Sequence, residues 1–258
     1  MANDGTSLSP VWYQQRMIDR GILKVGGLTP FTTIDFPGKL SAVVLCQGCP
    51  WRCNYCHNPH LQPFQVPFAQ RWDVVLGWLE TRRGLLEGVV FSGGEPLLQR
   101  GLKNALAEVR AMGFLTGLHT AGLSPKRLAA VLPELDWVGF DVKGPFEDYP
   151  RITGAGGGKS AMGALGVLLS SGTEHEIRCT VDVGLLDFEA MAKMGSQLAT
   201  HGVKSLVLQP CRRNGQPEEI PGALISAVAM HLPQVAFRGS VSNDASSTGQ
   251  VSVAQLTR

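Results

Sequence analysis

Cys46, Cys49, Cys53 and Cys56 fall within an eleven-residue window. Four thiols this close make poor disulfide partners, since each bridge would close a very short loop and remove little chain entropy. A metal or a redox centre is the chemistry such a group points to. Two arrangements are open. One is a four-thiolate site, zinc or a closed iron–sulfur cluster, with Cys46 as the fourth ligand. The other is a three-thiolate iron–sulfur cluster with one iron left open, for which Cys49-x3-Cys53-x2-Cys56 is the specific spacing. Zinc fingers and ribbons usually split their ligands into two separated pairs. No second pair stands here, because Cys179 and Cys211 are each alone in the sequence. On the three-thiolate reading Cys46 is a small buried residue at a strand end, and Cys179 fills core.

The other unusual clusters follow or end apolar runs of strand length. Gly88–Phe91 runs into Ser92-Gly93-Gly94-Glu95-Pro96, and Phe114–His119 into Thr120-Ala121-Gly122. Trp137–Val142 carries Asp141 and leads to Lys143, Glu176–Val183 carries Arg178, and Ser205–Gln209 leads to Cys211-Arg212. With Leu40–Cys46 and Gln234–Phe237, these runs are apolar or β-branched, as strands buried on both faces are. Helical stripes separate them: Leu98, Leu102, Leu106 and Val109 form one, and Phe188, Met191, Ala192 and Leu198 another. Ser124 and Asp187 stand at N-cap positions, and Gly113 and Gly202 at C′ positions. Before them, Pro37-Gly38 marks a turn of a small hairpin leading into the first core strand. Repeated β–α units mean parallel strands, either as an open doubly wound sheet or as a complete or partial barrel. In either, the C-terminal strand ends share one face where ligand sites form, so six clusters on one rim point to one large enzyme site.

The chain of 258 residues suits one domain over residues 25–238. Residues 1–24 read as a polar leader in which Val11–Ile22 has helical character. Residues 239–258, rich in Ser, Gly, Gln, Asn and Thr, read as a flexible tail. Twenty-three basic against 21 acidic residues leave a net charge of +2, which gives no electrostatic case for nucleic acid or an anionic membrane. No apolar run approaches the roughly 20 residues of a membrane helix, and no signal peptide pattern opens the chain. A cytoplasmic, reducing location follows, where clustered thiols persist as ligands.

The extended motif from Cys49 through His57-Asn58-Pro59, joined by Gly93-Gly94-Glu95-Pro96, resembles the radical S-adenosylmethionine superfamily. Within it the chain is similar to activating enzymes of glycyl-radical enzymes, above all that of anaerobic ribonucleoside-triphosphate reductase. Gly26–Lys39, His119–Gly122, Trp137–Lys143, Arg151-Ile152-Thr153-Gly154 and Glu176–Thr180 carry the same resemblance. It implies an α/β fold, a partial (β/α) barrel of about six parallel strands. It implies a [4Fe–4S] cluster on Cys49, Cys53 and Cys56, whose open iron binds S-adenosyl-L-methionine. It also implies a cofactor pocket formed by Tyr55, Cys56, His57, Gly93, Gly94, Glu95, Thr120, Asp141, Val142, Lys143, Arg178 and Arg212. Gly93 and Gly94 would admit backbone to the methionyl amine, with the Glu95 carboxylate beside it. Tyr55 would lie along the adenine, and Lys143 or Arg178 would meet the carboxylate or ribose.

The implied reaction is reductive cleavage of S-adenosylmethionine to methionine and a 5′-deoxyadenosyl radical, which takes a hydrogen atom from a glycine of the partner enzyme. A reduced flavodoxin is the implied electron donor. His119 stands where pyruvate formate-lyase activating enzymes have an acidic residue that helps bind a cation, and Arg212 near a position where they have a histidine. Activation of pyruvate formate-lyase or another glycyl-radical enzyme, a small-molecule radical reaction, and a non-catalytic zinc or iron–sulfur protein are the competing readings. Gly154–Ser160 looks like a phosphate-binding loop, but Thr153 stands where that pattern needs glycine, so a linker before a helix at Ala161–Ser171 is expected.

Overall fold

The computed structural model describes residues 23–66, 70–213 and 215–238, together with the short strand segments 241–242 and 253–255. The expected leader, with its Val11–Ile22 helix, lies outside the described residues apart from Leu23 and Lys24. One nine-stranded sheet organises the rest. Strand β1 (Val25–Thr32) runs antiparallel to β2 (Ser41–Cys46), the hairpin expected from Pro37-Gly38; the Lys39 N–H donates to the Phe36 carbonyl across that turn. From β2 onward all neighbours are parallel: β3 (Gly88–Gly93), β4 (Leu115–Thr120), β5 (Trp137–Val142), β6 (Glu174–Val181) and β7 (Ser205–Pro210).

Beyond β7 a ribbon pairs β8 (Arg212–Arg213) with β9 (Gln216–Pro217), and β10 (Ile220–Pro221) pairs with β12 (Val241–Ser242). The main sheet then gains β11 (Gln234–Phe237) and β13 (Val253–Gln255). The compositional expectation of a flexible tail over residues 239–258 therefore does not describe these two paired segments. The rest of that stretch lies outside the described residues.

Strand order decides between the two α/β architectures left open by the sequence. Strands β2 to β7 follow one another in sequence order, so each crossover adds its strand on the same side. A doubly wound sheet reverses direction at a switch point; this sheet does not, and among the described residues its outermost strands are β1 and β13. It is a partial (β/α) barrel. Its crossovers are the helices Trp72–Glu80, Leu102–Ala111, Pro125–Val131, Gly158–Ser171, Phe188–Thr200 and Gly222–Ala229, with a short turn of helix at Tyr149–Thr153. Ser124 and Asp187 cap as expected, accepting from the Arg127 and Ala190 N–H groups.

Of the expected stripe Leu98, Leu102, Leu106 and Val109, the last three are the buried face of the helix, while Leu98 lies before it in a single 3-10 turn, Pro96–Leu98. The Phe188 stripe is corrected: Phe188 is 49% exposed, and the helix buries Met191, Met194, Gly195 and Leu198. Those four lie at i, i+3, i+4 and i+7, whereas Phe188 stands in the first turn, directly after the cap. Most of the core lies between helices and sheet. A smaller cluster of Phe36, Val43, Val90 and Trp137 forms separately, with the Phe36 ring stacked on Trp137 at 5.8 Å.

Candidate radical S-adenosylmethionine site

At the C-terminal strand ends lies a cavity of about 310 Å³. Cys49, Cys53 and Cys56 line it, with their thiols half-buried. Cys46, three residues before Cys49 and the last residue of β2, does not line it and is fully buried. The alternation of a strand end explains the split: Cys46 belongs to β2, whereas the other three are on the loop beyond it. Burial pushes the Cys49 thiol up to about 11 and raises Cys53 as well, although the Lys143 ammonium opposes the rise at Cys53.

The cysteine loop is held by the next strand. Its first residues are stitched to the Gly93–Glu95 turn: the Gly94 N–H donates to the Cys46 carbonyl and the Glu95 N–H to the Gly48 carbonyl. Gly93 has φ of +105°, and a Cβ there would sit 2.5 Å from the Cys46 nitrogen; one at Gly94 would sit 2.4 Å from the Gly48 carbonyl oxygen. Both glycines are therefore demanded by backbone meeting backbone, before any ligand is considered. Glu95 is buried, and its carboxylate is used within the chain. It accepts from the Thr120 hydroxyl at 2.6 Å, from the Ala121 N–H at 3.0 Å and from the Leu97 N–H at 3.1 Å. Burial raises its pKa, and these three donors pull against that rise. Its place is the seam between the ends of β3 and β4.

Across the cavity, Asp141 and Arg178 are register partners on β5 and β6 and meet at 2.5 Å. The Lys143 ammonium stands 3.7 Å from the same carboxylate. Burial alone would raise the Asp141 carboxyl, but Arg178 and Lys143 outweigh it and hold the group well below the usual carboxylate range. Lys143 also lies 6.0 Å from the centre of the Tyr55 ring. Tyr55 is buried, and its hydroxyl has no hydrogen-bond partner. His119 Nε2 is 2.8 Å from the Asp35 carbonyl, which brings the hairpin loop to the rim. Burial, then the Arg178 charge, lower the His119 pKa.

The cavity thus gathers Tyr55, Cys56, His57, Gly93, Gly94, Glu95, Thr120, Asp141, Lys143 and Arg178. Two expected residues are not there. Val142 is fully buried in the core, because Asp141 and Lys143 face the cavity and the residue between them must face away. Arg212 leaves with β8 and does not line the cavity; its charge acts on His57, whose pKa burial and Arg212 both lower. Gln209, on the rim by the sequence reading but not in the expected cofactor pocket, lines it, and so do Asp35, Gln62 and Thr180, which were not singled out for the pocket. Thr180 stands two residues after Arg178, so strand alternation was a usable signal.

The comparisons with known proteins agree with this geometry. The model of the Radical SAM superfamily matches residues 43–189, more than half of the chain. A putative glycyl-radical enzyme activating enzyme of Methanocaldococcus jannaschii is 32% identical over 134 residues, 50% of this chain and 53% of that protein. This chain therefore spans about half the length of that relative. The pyruvate formate-lyase-activating enzyme of Streptococcus mutans is 30% identical over 195 residues, 69% of this chain and 74% of that one. The crystal structure of QueE from Escherichia coli shares the fold, with a TM-score of 0.53 over 79% of this chain and 89% of that one at 18% identity. The chain belongs to the radical SAM superfamily, whose cofactors are a [4Fe–4S] cluster and S-adenosylmethionine.

The residues present fit those cofactors. Three thiols on one loop share a cavity with two glycines, three carboxylates, two cations and an orphaned phenol. Among the described residues no three His, Cys, Asp or Glu side chains converge on a single ion. A cubane does not ask for that, since each thiolate binds a different iron. Among the described residues, no helix is long and apolar enough to cross a membrane.

Proposed function

We propose that this protein cleaves S-adenosylmethionine reductively and installs a glycyl radical on another enzyme, by preference an anaerobic ribonucleoside-triphosphate reductase. The observation that carries the reading is the gathering of Cys49, Cys53 and Cys56 with Gly93, Gly94, Asp141, Lys143 and Arg178 in one cavity. A [4Fe–4S] cluster held by Cys49, Cys53 and Cys56 would supply the single electron needed to cleave the sulfonium of S-adenosylmethionine and so start hydrogen-atom abstraction from the partner's glycine.

The chain's own residues bind and orient. Cys49, Cys53 and Cys56 would hold the cluster as thiolates, so loading it would release protons. Arg178 and Lys143 offer positive charge to a carboxylate or ribose, while Asp141 keeps both cations in place. Tyr55 gives an aromatic face against a base and a hydroxyl free to hydrogen-bond. Val142 and Arg212 drop out of the pocket, and Glu95 acts by fixing the Gly93–Gly94 turn. The electron enters from a reduced flavodoxin-like donor.

Activation of pyruvate formate-lyase is the second reading, favoured by the name of the Streptococcus mutans relative. The two readings are separated by incubating the reduced, reconstituted protein and S-adenosylmethionine with each partner in turn under anaerobic conditions. A glycyl-radical doublet in the electron paramagnetic resonance spectrum of the reductase alone supports the preferred partner. A doublet on the lyase alone overturns it in favour of the second reading. Cleavage without a doublet on either leaves neither standing and points to a small-molecule substrate.

A further inference from the structure

The glycine-rich segment 154–158 is not used by the site as described, yet it touches the cysteine loop at several points. Between Cys49 and Cys53 stand Trp51 and Arg52. The Trp51 indole is 3% exposed, and its Nε1–H donates to the Gly156 carbonyl at 3.0 Å. The Arg52 N–H donates to the Thr153 carbonyl at 2.7 Å. Gly157 has φ of +133°, and a Cβ there would meet Trp51 Cζ2 at 2.8 Å. The indole also meets the Tyr149 ring edge-on at 5.6 Å, and the Tyr149 hydroxyl accepts from the Lys143 N–H at 3.2 Å. Buried Thr153 closes the segment, donating to the Tyr149 and Ala155 carbonyls.

We propose that segment 153–158 is a platform for the cysteine loop, and that Trp51 is a positioning residue which fixes that loop against the Lys143 end of β5. The glycines serve a protein side chain here. Gly157 leaves room for the indole, and the Gly156 carbonyl takes its proton. Thr153 and Tyr149 carry the contact on to the strand that presents Asp141 and Lys143. Moving Trp51 shifts the thiols relative to those charges without removing any ligand. The inference rests on Cys49, Cys53 and Cys56 being the cluster ligands.

Trp51→Phe keeps an aromatic ring and removes the donor. Trp72→Phe is the matched control: Trp72 is buried away from the cavity, and its indole donates to the Glu108 carboxylate at 2.6 Å. Both variants and the parent are reconstituted anaerobically. Iron release to a chelator, the spectrum of the reduced cluster with and without S-adenosylmethionine, and the melting temperature are then measured. Trp51→Phe is expected to load full iron, release it about fivefold faster, the worth of one net hydrogen bond, and change the cluster spectrum. Trp72→Phe is expected to lower the melting temperature with release and spectrum unchanged. Gly157→Ala is expected to reproduce the Trp51→Phe effects.

Equal release and spectra in Trp51→Phe and the parent, or equal changes in Trp51→Phe and Trp72→Phe, overturn the platform role. A parent protein that holds no iron fails earlier and overturns the ligand assignment.

Discussion

The Arg178 guanidinium donates to the Asp141 carboxylate at 2.5 Å, across two adjacent parallel strands on which the residues are register partners. The pair sits where β5 and β6 open into the cavity, with Lys143 beside it. Its charges are largely desolvated, so removing one partner leaves the other uncompensated. Asp141→Asn is expected to lower unfolding free energy by about 2–3 kcal/mol. The double variant Asp141→Asn/Arg178→Gln should lose less than the sum of the two single variants. Urea unfolding of all four proteins checks both statements, and additive losses would count against a coupled pair.

Thr120 and Glu95 give a second expectation with a definite sign. Burial raises the Glu95 pKa in the folded protein. A carboxyl raised on folding contributes stability below its unfolded pKa and loses it as pH rises through the folded value. Thr120→Val removes the 2.6 Å donor and raises the folded pKa further. The variant should lose about 1–2 kcal/mol, with a larger deficit at pH 8 than at pH 4. Denaturant midpoints at the two pH values decide it.

His119 carries the opposite dependence. Its pKa is lowered in the folded state, so the unfolded chain takes up the proton first as pH falls below 6.5. Stability should therefore decline from pH 7 toward pH 5 and recover on return. Its contact with the Asp35 carbonyl needs Nε2 as a donor, which the neutral ring supplies when its proton is on that nitrogen. In His119→Gln the amide can donate in its place and does not titrate. The slope of stability against pH between 5 and 7 is expected to flatten while stability at pH 7 stays close to the parent's. An unchanged slope would remove His119 from this account.

Cys46 and Cys53 belong to the same cysteine group but have different expected roles. Cys46→Ala trims a buried side chain outside the cavity and should cost about 1 kcal/mol with iron content preserved. Cys53→Ala should lose the cluster and all cleavage of S-adenosylmethionine. Iron and sulfide analysis after reconstitution separates them, and equal loss in both variants would restore Cys46 as a ligand.

Much of the barrel was legible because strands β2 to β5 and β7 are near-continuous apolar runs bounded by glycine and charge, and because helix caps such as Asp187 are local signals. Strand order was not, since nothing in a strand names its neighbour; the barrel followed from the resemblance and from β2 to β7 adding in sequence. The cysteine group stood out by its spacing, but spacing left a four-thiolate site with Cys46 open, and the three-ligand reading came with the resemblance. Gly93 and Gly94 were legible as necessary, but for a reason the structure changes: each faces the backbone of the cysteine loop. Val142 was misread by taking Asp141–Lys143 as a block, when alternation turns the middle residue into the core. Asp35 was out of reach, because a hairpin loop reaches the rim only through the long-range contact with His119.

The central claim is that three thiols and the open cavity beside them make a cluster that cleaves S-adenosylmethionine. The most direct measurement is anaerobic reconstitution with iron and sulfide, reduction, and addition of S-adenosylmethionine, followed by assay of bound iron and of 5′-deoxyadenosine. The account expects about four irons per chain and 5′-deoxyadenosine formed only after reduction. Tight zinc binding, or a loaded cluster that leaves S-adenosylmethionine intact, would contradict it.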